Sequence, residues 1–268
     1  MPASTITSRA NPRVKQLRAA FSGNARLAEG LVAIEGENLM REAMRSGIAL
    51  RMVFASEETS EPEWLPHGIE VVHLSGEIFA SAVDTQSPQG LAALIEPPQW
   101  NLESVLRPHA APLFLIAAGL QDPGNLGTLV RSAEAFAASA VLTTPGTVSP
   151  WNQKALRASA GSVFRMPVVS VNADDLARLN SRGVQLLAAV ASGATTKSAS
   201  VVDLTRPTAV MIGNEGSGLT DDLLALADGC VSIPTPGPVE SLNAAVAGSL
   251  LLYEASRQRL ASQSTAGN

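Results

Sequence analysis

The chain has 268 residues and a formal net charge of −5; 46% of its residues are hydrophobic, 16% are charged and 4% are aromatic. These values are typical of a compact globular protein with an aliphatic core, and they exclude a disordered chain. No apolar run approaches the ~18 residues that cross a bilayer. Cys230 is the single cysteine, which excludes an intrachain disulfide and a cysteine zinc cluster. Because the N-terminus has no apolar signal core, we expect a cytoplasmic protein without a membrane partner.

The first 28 residues are basic and contain no Asp or Glu. Their charged side chains are Arg9, Arg13, Lys15, Arg18 and Arg26. A basic arm of this kind is able to follow RNA phosphates. A solvated helix face explains the same residues equally well, so the sequence leaves both interpretations open.

The first part of the chain alternates between two periodicities. Apolar runs at 31–35, 50–55, 70–74 and 90–95 predict strands, and helical patterns at 37–45 and 77–83 lie among them. This alternation predicts a small α/β domain. Four prolines between residues 97 and 112 then predict a linker. The three histidines, His67, His73 and His109, have no ligand spacing, so we expect no metal.

The alternation becomes more regular after the linker. Strands are predicted at 113–118, 140–143, 168–171, 184–190, 209–213 and 231–233, and helices at 126–137, 153–160, 173–180, 221–227 and 242–259. This order predicts a parallel sheet covered by helices on both faces. Such sheets bind ligands in loops at the carboxyl ends of their strands. We therefore divide the chain into two domains, residues 1–105 and 106–268.

Two loops of the second domain open onto predicted helices and carry polar candidates. The first, residues 119–131, contains Asn125 and Arg131, although an N-cap and a surface arginine explain this pair more simply than a shared cleft does. The second, residues 213–219, has three glycines around Glu215, without the spacing of a dinucleotide or Walker motif. Glu215 would repel a phosphate but accept hydrogen bonds from a ribose. A solvent-facing glutamate in a glycine-rich turn is an equal alternative.

A third loop, residues 233–243, contains three prolines around one glycine. The prolines fix the backbone and make this connection stiff. Ser241 is the predicted N-cap of the following helix, with Asn243 in its first turn. A stiff loop before an apolar helix suits a pocket for a flat, partly apolar ligand.

In these three loops the sequence resembles the SpoU (TrmH) family of RNA methyltransferases in the SPOUT superfamily. The resemblance rests on three motifs in order: Asn125-x-Gly127-x-x-x-Arg131, Gly213-x-Glu215-Gly216-x-Gly218-Leu219, and Ile233-Pro234 with Gly237 and Ser241-Leu242-Asn243. It covers roughly residues 112–260. The segments 6–9 and 11–15 also resemble the start of a subgroup whose N-terminal RNA substrate-binding domain is similar to ribosomal protein L30e.

The resemblance implies an α/β fold in which a C-terminal parallel-sheet domain forms a trefoil knot and an L30e-like α/β domain precedes it. It implies methyl transfer from S-adenosylmethionine to a ribose 2′-OH of structured RNA, with ribosomal RNA favoured, and a homodimer formed through the knotted domain. The implied cofactor-binding residues are Gly213, Ile233 and Leu242. The implied catalytic residues are Arg131, Asn125, Glu215, Ser241 and Asn243. The expected RNA-binding residues are Arg9, Arg13, Lys15 and Arg18.

Three alternatives remain at this point. The RNA is a transfer RNA, or the methyl group goes to a base nitrogen, or the chain is an RNA-binding or ribosome-assembly module without catalysis. Asn125 and Arg131 argue against base methylation, which needs no ribose clamp. The presence of Asn125, Arg131, Glu215 and Asn243 together argues against a module that has lost catalysis.

Overall fold

The computed structural model describes residues 5–22, 30–83, 85–106, 111–193 and 196–266, so Arg26 and His109 lie outside the described residues. The helices are α1 (Pro12–Phe21), α2 (Glu37–Arg45), α3 (Gly76–Ala82), α4 (Leu102–Leu106), α5 (Pro123–Ala135), α6 (Gln153–Ser159), α7 (Ala173–Ser181), α8 (Asp221–Ala225) and α9 (Ala244–Ala266). The strands are β1 (Val32–Glu35), β2 (Leu50–Ser56), β3 (Val71–Leu74), β4 (Leu91–Ile95), β5 (Leu113–Ala117), β6 (Ala140–Thr143), β7 (Val168–Ser170), β8 (Gln185–Ala189), β9 (Lys197–Ser198), β10 (Thr208–Ile212) and β11 (Gly229–Ser232).

Contacts divide the chain into two compact units. The first contains residues 1–99 together with 151–164, and the second contains residues 100–150 and 165–268. The segment 151–164 holds α6 and a short 3₁₀ turn, Ser162–Phe164. The sequence pattern placed this segment in the second domain, because its neighbours in the chain belong there. The roles that we assign to the two predicted domains remain a prediction.

The first unit is built on a four-stranded mixed sheet in the order β1-β4-β2-β3. Strand β4 pairs antiparallel with β1 and β2, and β2 pairs parallel with β3. Helix α1 covers this sheet with Val14, Leu17 and Phe21, all buried. Pro12 at its start and the Asn11 side chain, which accepts from the Arg13 amide at 2.9 Å, fix where α1 begins.

The second unit contains a seven-stranded sheet in the order β7-β6-β5-β10-β8-β11-β9. All of its strand pairs are parallel. Both faces are covered, so β5 and β10 are buried at every position. The predicted parallel sheet is confirmed. Its order brings β5 and β10 together, and the chain that leaves their carboxyl ends forms the first two loops described above.

Three predicted features are wrong in detail. The proposed linker contains α4, whose Leu102 and Val105 are buried in the core of the second unit, so the flanking prolines bound a helix there. Helix α5 begins at Pro123 rather than at residue 126, because Asp122 caps it and proline suits the first helical position. Helix α9 begins at Ala244, so Ser241 is not its N-cap.

The described part of the chain contains no helix long and apolar enough to cross a membrane. Within the same residues, no group of three or more His, Cys, Asp or Glu side chains is placed to hold a metal ion. His73 contacts Glu61 at 2.7 Å in the first unit. Cys230 is half-buried and packs against the core of the second unit.

Candidate active site

The loops that follow β8, β10 and β11 enclose a cavity of about 600 Å³ in the second unit. Strands β10, β8 and β11 are neighbours in the sheet, so their carboxyl ends meet at one edge. The cavity is lined by segments 189–192, 212–219 and 240–244 and by five further residues: Val231, Ile233, Thr235, Ala247 and Leu251. Its volume falls in the range of pockets that hold small organic ligands. The three predicted cofactor-binding residues, Gly213, Ile233 and Leu242, all line it.

The second loop folds into a tight turn that brings backbone to the cavity wall. The backbones of Asn214 and Gly218 pair as an antiparallel bridge, with N–H to O distances of 3.0 and 2.9 Å. A Cβ at Gly213 would lie 2.3 Å from the carbonyl carbon of Gly218 and 2.5 Å from the Leu219 nitrogen. Only glycine fits there, because the backbone of Gly218 and Leu219 fills the space that a side chain would occupy, and the turn is able to close this tightly for that reason.

Asn214 holds the turn in shape and joins it to the first loop. Its Oδ1 accepts from the amides of Gly216 at 2.8 Å and Ser217 at 3.2 Å, and its Nδ2 donates to the Gly119 carbonyl at 2.8 Å. Sequence reasoning missed this residue. The available signal was an asparagine beside a glycine-rich turn, which is typical of a side chain that bonds the backbone two residues on.

Three of the predicted catalytic side chains meet in one hydrogen-bonded chain. Asn125 Nδ2 donates to Glu215 Oε1 at 2.7 Å, and Asn243 Nδ2 donates to Asn125 Oδ1 at 3.1 Å. Asn125 therefore links the first loop to the second and the third. Since its amide donates on one side and accepts on the other, its orientation is fixed by the two partners.

Asn243 also performs the role that we assigned to Ser241. Its Oδ1 accepts from the Ala245 amide at 2.9 Å and the Val246 amide at 3.2 Å, which makes Asn243 the N-cap of α9. Residues 241–243 are not helical, so the backbone at Ser241 lies too early to cap. Ser241 instead lines the cavity.

The structure does not bring Arg131 into this network. Arg131 is exposed and does not line the cavity, and its side chain makes no hydrogen bond or ion pair with the described residues. It lies six residues after Asn125 on α5, which places the two on different faces of the helix. Helix α5 packs closely on α9, where Ser132 Oγ and Ser249 Oγ are 2.6 Å apart.

The predicted RNA-binding residues lie at the surface of the first unit. Arg9 pairs with Glu77 at 2.8 Å and Arg13 with Glu70 at 2.9 Å. Lys15 is exposed, and Arg18 donates to Ser81 Oγ at 3.4 Å. Exposed pairs of this kind contribute little stability, so a phosphate is able to replace the carboxylate.

The cavity combines apolar walls, exposed backbone and carboxylates. Leu219, Ile233, Leu242 and Leu251 supply apolar surface, and Glu215 supplies a hydrogen-bond acceptor. With a parallel α/β sheet behind it, this arrangement is typical of a site for a small organic molecule at the carboxyl ends of the strands.

Comparison with known proteins identifies the family of this chain. Residues 112–253 match the family model described as SpoU rRNA Methylase family, and residues 11–93 match the MRM3-like substrate binding domain. The chain belongs to the SpoU methylase family. The predictions of this family, of the α/β fold class and of a methyltransferase are therefore confirmed.

Named relatives cover nearly the whole chain. It is similar to the 23S rRNA (guanosine(2553)-2′-O)-methyltransferase RlmP of Bacillus subtilis, with 34% identity over 92% of this chain and 97% of the relative. It is also similar to human mitochondrial rRNA methyltransferase 3, with 29% identity over 86% of this chain and 68% of the relative. The crystal structure of AviRb from Streptomyces viridochromogenes with AdoMet superposes with a TM-score of 0.82 at 26% identity, covering 93% of this chain and 98% of that one.

Proposed function

We propose that this protein transfers a methyl group from S-adenosylmethionine to a ribose 2′-OH of ribosomal RNA. The hydrogen-bonded chain Glu215–Asn125–Asn243, whose two end residues line the cavity, is the observation that carries the proposal. It presents polar groups suited to a ribose beside a site suited to the cofactor. The relatives named as rRNA 2′-O-methyltransferases and the match to a substrate-binding domain support ribosomal RNA.

The volume and the lining residues of the cavity suit the cofactor. The tight turn at Gly213 brings backbone to the cavity wall, while Ile233 and Leu242 provide apolar contacts for a flat adenine. When bound, S-adenosylmethionine supplies an electrophilic methyl group on a positively charged sulfur. We assign the holding of this cofactor to the backbone and apolar side chains of Gly213, Ile233 and Leu242.

The catalytic task of the protein is to align the ribose and ease the loss of its proton. Asn125 and Glu215 orient the hydroxyl through their shared hydrogen bond, and Ser241 and Asn243 bond near the reacting centre. Arg131 carries a permanent positive charge and therefore cannot act as a base. We assign it to an RNA phosphate, where it stabilises the developing alkoxide while a phosphate oxygen or water takes the proton.

We propose that the protein acts as a homodimer through the outer face of α9. Four exposed apolar side chains lie there at helical spacing: Val246, Leu250, Tyr253 and Leu260, 42–62% exposed. Phe136 meets the Tyr253 ring edge-on, with centroids 5.7 Å apart, and extends the apolar surface. A second copy is the occupant that fits, since it covers this surface, and we expect it to bring a second Arg131 to a cavity whose lining, among the described residues, contains no Lys, Arg or His.

The dimer is tested by replacing Leu250 and Tyr253 with serine and measuring the mass in solution. We expect a shift to monomer and loss of methyl transfer, with the secondary structure retained. Wild-type protein that remains a monomer at micromolar concentration would contradict the proposal.

We assign Arg9, Arg13, Lys15 and Arg18 to RNA phosphates, and we place the protein in the cytoplasm. Removing Lys15 and Arg18 together should weaken RNA binding and lower the slope of log affinity against log salt by about two. An unchanged slope would assign these residues to the solvated helix face instead.

The activity is tested with labelled cofactor, ribosomal RNA and, in a separate arm, transfer RNA. A ribose methyl group blocks alkaline cleavage at its own nucleotide, because the 2′-oxygen is the attacking group, whereas base methylation does not. We expect one resistant position in ribosomal RNA, with a guanosine of 23S RNA examined first because relatives carry that name. Label confined to transfer RNA or to a base would refute the proposal. Arg131→Ala should lose most of the transfer while cofactor binding persists.

A further inference from the structure

The charged side chains that line the cavity are all acidic. Glu215 and Glu240 line it, and none of the lining residues in the described part of the chain is Lys, Arg or His. Glu215 accepts from Asn125, whereas Glu240 is exposed and makes no hydrogen bond or ion pair with a described residue. The N-terminus of α9 adds about half a positive charge, which two carboxylates outweigh. The cavity is therefore net negative, and the charge of Glu240 is uncompensated.

The reaction changes the charge of the molecule that occupies this cavity. Transfer breaks the bond between sulfur and methyl, leaves the electron pair on sulfur, and forms the bond between ribose oxygen and methyl as the hydroxyl proton passes to water or a phosphate. The cofactor enters as a sulfonium cation, and the product leaves as an uncharged thioether. A negative cavity thus attracts the two molecules differently, although their shapes are nearly the same.

We propose that Glu240 is a specificity-determining residue that favours the charged cofactor over its demethylated product. It acts through its charge, as the unpaired carboxylate at the cavity wall, and not through the ribose network of Asn125 and Glu215. Its consequence is faster exchange of spent product for fresh cofactor. This inference rests on the cofactor and is independent of which RNA is methylated.

The effect of one exposed carboxylate is modest. Exposed charge pairs contribute roughly 0.2–1 kcal/mol, which corresponds to about a 1.4- to 5-fold change in affinity. Glu240→Gln keeps the size and the polar end of the side chain while it removes the charge. We expect this variant to bind the cofactor about 2- to 5-fold more weakly.

The experiment measures the dissociation constants of three ligands by calorimetry on the full chain without RNA. The ligands are S-adenosylmethionine, S-adenosylhomocysteine, and the analogue in which a carbon bearing a primary ammonium replaces the sulfonium. Asp174→Asn is the matched control, because Asp174 is an exposed acidic residue of the same unit that does not line the cavity. All measurements are repeated at high salt, which screens exposed charges.

Glu240→Gln should weaken both cationic ligands and leave the thioether unchanged, which also shows that the variant is folded. Asp174→Asn should change none of the three, and high salt should reduce the wild-type preference. Equal weakening of all three ligands would mean that Glu240 shapes the cavity rather than setting its charge. That outcome, or an unchanged ratio of cofactor to product affinity, overturns the proposal, and either leaves the RNA methylation test unaffected.

Discussion

Replacing Gly213 by alanine places a methyl group where the turn of the second loop has no room. The new Cβ would lie 2.3 Å from the Gly218 carbonyl carbon, 2.5 Å from the Leu219 nitrogen and 2.6 Å from the Gly218 oxygen. Non-bonded carbon atoms approach to about 3.5 Å at their energy minimum, so the overlap exceeds 1 Å. All three obstructing atoms belong to the backbone, and rotation of a side chain cannot relieve the contact.

The free-energy cost of Gly213→Ala depends on which part of the structure moves to relieve the contact. Gly213 does not have a positive φ, so the penalty is steric rather than conformational. Overpacking against a fixed structure costs about 1–3 kcal/mol, and a backbone obstacle favours the upper end. If the turn opens to accept the methyl group, the cavity wall moves. A loss of about 3 kcal/mol expressed in binding weakens the cofactor by roughly 100-fold.

Gly216 provides the matched control in the same turn. A Cβ there would meet only Asn214 Oδ1, at 3.5 Å, which is an ordinary contact. We expect Gly213→Ala to lower both the unfolding free energy and the cofactor affinity, measured by denaturant titration and calorimetry, well beyond Gly216→Ala. The reasoning fails if the two variants bind the cofactor equally and unfold at the same denaturant concentration.

Three further outcomes can be measured. Asn243→Asp should keep the cap of α9, because a carboxylate also accepts hydrogen bonds from the helix amides. The same variant should lower methyl transfer, because aspartate has no donor for Asn125. Asn243→Ala should in addition destabilise the protein by about 1 kcal/mol. Wild-type activity in Asn243→Asp, with activity lost only in Asn243→Ala, would argue for capping alone. Burial raises the pKa of Glu35, against a hydrogen bond from Gln89 and the charge of Arg157, so the native state holds this proton to higher pH than the unfolded chain does. The unfolding free energy of the wild type relative to Glu35→Gln should therefore fall as the pH rises from about 4.5 through the raised pKa, then level off, and a flat difference would contradict this. Gly248→Ala puts a Cβ 2.4 Å from Leu129 Cδ2, a flexible side-chain end; we expect a smaller loss of stability than for Gly213→Ala, and urea midpoints in the reverse order would contradict it.

Most of the fold could be predicted because strand and helix periods differ and the apolar residues follow them. The prediction for α2 agrees with the structure at both ends, and β6 does so as well. For α1 the sequence left a basic arm and a solvated helix face as equal alternatives, because its apolar positions are spaced among arginines. Helix α4 was hidden by flanking prolines, which mark its limits rather than its absence.

At the site, the sequence predicted which loops meet but not how their side chains are bonded. The contact between Asn125 and Glu215 joins residues 90 positions apart, and that between Asn243 and Asn125 spans 118 positions. Local pattern carries no information on such pairs. The cap of α9 was assigned two residues too early because serine and asparagine are both good caps, and only the backbone path distinguishes them. Glu240 gave no motif signal of its own.

Helix α6 belongs to the first unit, but the ribosome synthesises it well after the strands of that unit. Gln153, 4% exposed, donates its Nε2 to the Ala33 carbonyl at 2.8 Å, and the chain between them must already include β5 and β6 of the other unit. At roughly 5–20 residues per second, a ribosome needs several seconds to pass from β4 to α6. During that interval the Ala33 carbonyl has no Gln153 to accept from. The unit that carries the basic helix therefore completes this contact only after residues 100–150 of the other unit have been synthesised.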